Sequence, residues 1–158
     1  MPDESRSAAT GDEQRRRVYA AEDTVAAHIG PALRTWRSVE AFLGSVVTSD
    51  EFNEWFPEAP CGIGLHRRSR SATASAALLD RSEIWLRDGS WNATTVLHEL
   101  AHLLCDPTAG HGPRFVATEL ILVRRWCGFD AYGQLRHAMD AERAAIDEAF
   151  LHALPPAR

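Results

Sequence analysis

The chain has 158 residues, 45% hydrophobic and 25% charged, an ordinary globular balance for one domain and too short for a multidomain assembly. Its 17 basic and 22 acidic side chains sum to a formal charge of -5, so no global positive field exists to hold nucleic acid or an anionic membrane surface. Three cysteines without a CxxC pair argue against a disulfide framework, and no apolar run reads as a signal sequence or approaches the roughly 18 residues of a membrane span. A cytoplasmic protein without a membrane partner is expected; nothing in the sequence speaks to its oligomeric state.

Residues 1–12 are small, polar and aperiodic and read as a flexible tail, leaving 13–158 as one domain. Val18, Ala21, Val25 and Ile29 recur at helical spacing and predict a first helix over 13–29, stopped by Gly30 and Pro31. A second helical region, 32–56, carries Leu33, Trp36, Val39, Leu43 and Val46, with a break near Thr48 where Ser49 or Asp50 can cap a new turn. The texture then changes to short alternating stretches at 62–67, 70–78 and 83–87, which predict two or three strands. Helices over 92–105, 113–126 and 132–151 complete the chain. Helices, a small sheet and helices again, without βαβ alternation, predict an α+β domain.

The segment carrying chemistry is Trp91 to Phe115, in which His98, Glu99 and His102 form HExxH. On a helix the two histidines lie one turn apart, about 6 Å along the axis, so both imidazoles can reach one metal ion. Glu99 points beside them, placed to accept a proton from water at the metal, as a general base does in zinc hydrolysis. Val96, Leu97, Leu100, Ala101 and Leu104 form the buried side of that helix; Asn92 or Ser90 can cap its start, and Asp106-Pro107 stops it.

A catalytic zinc takes three protein ligands and leaves one position open. His111 is the leading third candidate, in a loop between Gly110 and Gly112, with Pro113 starting the next helix. Glu119 competes, because a carboxylate in an otherwise apolar helix needs a partner; it can ligate the metal or receive a hydrogen bond from a ligand imidazole. Asp106 and Cys105 are weaker candidates, a helix-end residue and a thiol better read as buried.

HELAH followed by His111-Gly112-Pro113-Arg114-Phe115 resembles the SprT-like zinc metallopeptidases and, more closely, a small group of uncharacterised metallohydrolases from high-GC bacteria. The resemblance covers about the central quarter of the chain. It implies a zincin-type fold, one catalytic zinc on His98, His102 and His111, Glu99 as general base, and hydrolysis of a peptide or protein substrate. The cysteine-rich zinc ribbon that often targets SprT-like proteins to DNA has no counterpart here, and the interval from His102 to His111 exceeds that of the metzincin HExxHxxGxxH pattern.

Two further expectations concern substrate. Glu83–Arg87 is read as an edge strand beside the motif helix, on which an extended peptide can pair by strand addition. Arg114, Tyr132 and His137 are candidates to stabilise developing negative charge if the later helices return to the metal. The remaining alternatives are hydrolysis of a non-peptide amide, or a zinc that merely fixes a loop to a helix in a binding module.

Overall fold

The computed structural model describes residues 10–154. It is α+β, with the elements in chain order α1 (Gly11–Val25), α2 (Trp36–Val47), α3 (Asp50–Trp55), β1 (Gly64–Arg68), β2 (Ala76–Leu78), β3 (Glu83–Arg87), α4 (Ala93–Leu104), α5 (Pro113–Trp126), α6 (Phe129–Ala141) and α7 (Glu148–Ala153). Among the described residues no helix is long and apolar enough to cross a membrane.

Side-chain caps set most helix starts. Thr10 accepts from the Glu13 amide and starts α1 at Gly11, so the expected tail is two residues too long at its end; residues 1–9 of it lie outside the described residues. Thr35 and Ser38 form a reciprocal capping box, which holds back the second helix to Trp36. Ser49 caps α3, dividing the 32–56 region where the sequence places its break. The predicted 132–151 helix is two helices: Arg143 adopts φ +57 in the connection, and Asp147 caps α7.

The sheet has the order β1-β3-β2, with β1 parallel and β2 antiparallel to β3. Glu83–Arg87 is therefore the central strand, which corrects the expectation that it is an edge. Both of its hydrogen-bonding edges are used, and Ile84 and Leu86 are fully buried against the helices. The free edge nearest the motif helix belongs to β2, because α4 packs against β2 and β3.

The core is centred on α4 and α5. Val96, Leu97, Leu100 and Ala101 of α4 and Phe115, Val116, Leu120 and Ile121 of α5 are all fully buried. Helix α5 packs on α4, α6 and α7, and α6 packs on α1. The metal-motif helix thus stands in the middle of the molecule, with the sheet on one flank and α5 on another.

Candidate metal centre

Helix α4 starts where Asn92 Oδ1 accepts from the Thr95 amide at 2.8 Å. From that start His98 and His102 fall on one face, with ring centroids 5.0 Å apart. The connection to α5 then turns back tightly. Asp106 Oδ1 accepts from the Thr108 amide, the Ala109 amide donates to the Asp106 carbonyl, and the Gly112 amide donates to the Ala109 carbonyl. Gly110 takes φ +53, and a Cβ at Gly112 would lie 2.9 Å from the Ala109 carbonyl oxygen, so this path needs both glycines. Its product is His111 above α4, with Nε2 at 3.3 Å from His98 Nε2 and its ring 4.7 Å from that of His102.

One ligand atom from each of His98, His102 and His111 lies within 4.8 Å of the other two, a spacing that could hold a metal ion. Phe115, fully buried at the start of α5, has its ring centroid 4.9, 4.4 and 4.9 Å from those of His98, His102 and His111. Tyr19 of α1 covers the other side, its ring centroid 5.7 Å from His98 and 5.0 Å from His111. Two aromatic rings therefore hold the imidazoles in place.

Behind His98 lies a second buried cluster. Its Nδ1 meets Glu22 Oε1 at 2.5 Å and Glu119 Oε1 at 3.8 Å. These three groups also fall within a metal-sized spacing. However, 2.5 Å is a hydrogen-bond length, shorter than the roughly 3.3 Å between two ligands around a tetrahedral cation with bonds near 2.0 Å. We read Glu22 as the group that accepts the Nδ1 proton, which fixes the tautomer and turns Nε2 toward His111.

The charges follow from burial and neighbours. Burial disfavours the cation of His98, but the charge and hydrogen bond of Glu22 outweigh it and raise the imidazole above its ordinary value. Burial, aided by repulsion from His98, pushes His102 down to about 3 and His111 down to about 4, so both are neutral and able to ligate near pH 7. Glu99 is pushed up by burial to about 7. Glu119, fully buried and within side-chain hydrogen-bonding reach of the Glu22 carboxylate, is raised well above the carboxylate range, so its protonated carboxyl can donate to Glu22.

A cavity of about 360 Å³ opens onto this cluster. Tyr19, His98 and Glu99 line it together with Ser75, Arg87 and Ser90. The general-base candidate and one metal-ligand candidate thus share a wall that a small molecule or an extended segment can reach.

The sequence-predicted ligands His98, His102 and His111 are brought together beside Glu99. Glu119 arrives on the Nδ1 side of His98, away from the Nε2 that faces His111, which favours a supporting position over ligation. Cys105 donates to Thr118 and Asp106 closes the loop turn, so neither joins the cluster. Arg114 pairs with Asp147 and lies over the Phe150 ring, and neither it, Tyr132 nor His137 lines the cavity. Sequence reasoning missed Glu22 and Tyr19. A signal existed for the first: Glu22 sits with Gln14, Val18 and Ala21 on the buried face of α1, where an unpaired acid is costly.

No family model, no curated protein and no solved structure matches this chain.

Proposed function

We propose that the chain is a zinc-dependent metallopeptidase that holds one ion through His98, His102 and His111 and uses Glu99 as general base. The observation that carries this reading is the convergence of three imidazoles, two of them held neutral, beside the buried Glu99 carboxyl that lines an open cavity. An HExxH helix packed on a mixed sheet supports a zincin-like reading of the α+β fold, in keeping with the resemblance to SprT-like peptidases.

Zinc on these residues supplies Lewis acidity toward an amide carbonyl and acidifies water beside Glu99. The rest of the chemistry belongs to the chain. Glu99 takes a proton from water at its carboxylate and delivers one to the departing amine. Glu22 keeps the Nδ1 proton of His98 in place, and the rings of Tyr19 and Phe115 restrict water around the imidazoles. Residues 73–75, which lead into the free edge of β2, line the cavity, so strand addition by an extended substrate is assigned to β2.

The test is turnover of a quenched peptide library by zinc-loaded wild-type and Glu99→Gln proteins of equal zinc content. The wild type is expected to cleave, and the variant to lose at least about 10²-fold in rate. Equal rates would remove Glu99 from the mechanism.

A further inference from the structure

The cavity beside Glu99 carries a guanidinium, Arg87, that forms no ion pair among the described residues, although Glu22, Asp23 and Glu99 line the same space. The Arg87 guanidinium donates to Ser90 Oγ at 3.1 and 3.2 Å and to the Ala72 carbonyl at 3.4 Å, all neutral acceptors. Thr94 of α4 also lines this cavity, is 1% exposed, and its hydroxyl has no hydrogen-bond partner among the described residues. A buried hydroxyl without a partner costs free energy unless a ligand supplies one.

Gly89 lines this cavity and also a second one of about 430 Å³, so the two adjoin through its backbone. The second holds Arg34, Arg67 and Arg70 against one acid, Asp88. Asp88 is committed to Arg67, whose Nε and Nη2 both reach it at 3.0 Å. Arg34 and Arg70 have no carboxylate partner among the described residues. The Arg70 guanidinium lies over Gly89, within 3.4 Å of where a Cβ would stand, and a side chain there would push it aside. Three guanidiniums without acidic partners therefore mark one path away from Glu99, on a chain whose formal charge is -5.

We infer that this path is the specificity site for an acidic peptide segment, whose carboxylates meet Arg87, Arg70 and Arg34 while its backbone lies beside Glu99. The inference rests on the peptidase reading for what happens at Glu99, but the binding itself does not. Arginine forks match carboxylates in pairs; Arg87 is half-buried, while Arg34 and Arg70 stand exposed at the second cavity and would act as an outer clamp. A peptide is favoured over nucleic acid because a phosphate backbone needs a longer basic stripe than three guanidiniums flanked by Glu22, Asp23 and Glu99 provide.

The test uses fluorescein-labelled decapeptides differing only by Glu for Gln at alternate positions. Their binding to zinc-loaded Glu99→Gln protein is measured by anisotropy, with and without the added pair Arg34→Gln and Arg70→Gln. Circular dichroism and zinc content verify that each protein is folded and loaded. The Glu peptide is expected to bind at least tenfold tighter than the Gln peptide, and the added pair to erase the difference. Equal affinities, a preference that survives the double replacement, or tighter binding of a single-stranded oligonucleotide of equal charge would each overturn the inference. Selective binding without cleavage by the wild type would leave this site standing and remove the peptidase reading instead.

Discussion

Glu22 of α1 and His98 of α4, 76 positions apart in the chain, meet side chain to side chain at 2.5 Å. The contact ties the first helix to the metal-motif helix, and it decides which nitrogen of His98 faces the other two imidazoles. Carboxylates in this relation to a ligand histidine commonly alter metal affinity by 10- to 100-fold. Glu22→Ala is therefore expected to weaken zinc binding by about that factor without abolishing it, as read by competition with a chromogenic chelator. An unchanged dissociation constant would mean that Glu22 does not orient His98.

His111 and Glu119 separate cleanly by mutation. His111→Ala removes a proposed ligand and is expected to lower zinc affinity far more than Glu119→Ala, which acts on the opposite side of His98. The reverse order in the same chelator assay would make Glu119 the third ligand.

Acidity has two readouts. His98 is raised above its ordinary value, so below that raised value a proton sits on the nitrogen a metal must take, while His102 and His111, near 3 and 4, stay neutral. Zinc affinity is expected to rise by up to about tenfold per pH unit between roughly pH 5.5 and 6.5, the limit for loss of one proton; a flat profile would contradict the assignment. In the metal-free protein the raised His98 contributes stability that is complete below the unfolded value of 6.5 and lost as pH rises through its folded value. Glu99, raised to about 7, and Glu119, also raised, act with the same sign, whereas His102 and His111, held down at about 3 and 4, act oppositely and add stability as pH rises through their unfolded value of 6.5. The urea midpoint of metal-free protein should therefore fall only above about pH 7, where the contribution of His102 and His111 is nearly complete, and a continued rise to about pH 8 would refute these environments.

Phe115 touches all three imidazoles and is fully buried. Phe115→Ala is expected to cost about 3–5 kcal/mol of unfolding free energy by leaving a cavity, and to weaken zinc binding in parallel. A loss of stability with unchanged zinc affinity would show that the ring supports the core alone.

Local chemistry made much of this legible in advance. Asn92 as a cap, Pro113 as a first helical residue and the HExxH periodicity each act within a turn of their own position, and each lies where it was read. Gly110 and Gly112 likewise announce a tight return of His111. Strand order is a tertiary property: nothing within Glu83–Arg87 says that β1 and β2 flank it, and its alternating burial suits a centre as well as an edge. Glu22 was harder still, because its partner lies on another helix and only its place on an apolar face betrays it. The break after Ala141 depends on one residue, Arg143, adopting a left-handed conformation that Arg does not advertise.

The most direct measurement is the metal content of the purified chain by elemental mass spectrometry, after zinc loading and desalting, beside His98→Ala and His111→Ala. About one zinc per wild-type chain, lost from both variants, is the expected result and would establish the three-histidine centre. A wild-type chain that retains no metal after loading would contradict it and reduce HExxH to two histidines and a glutamate on a core helix.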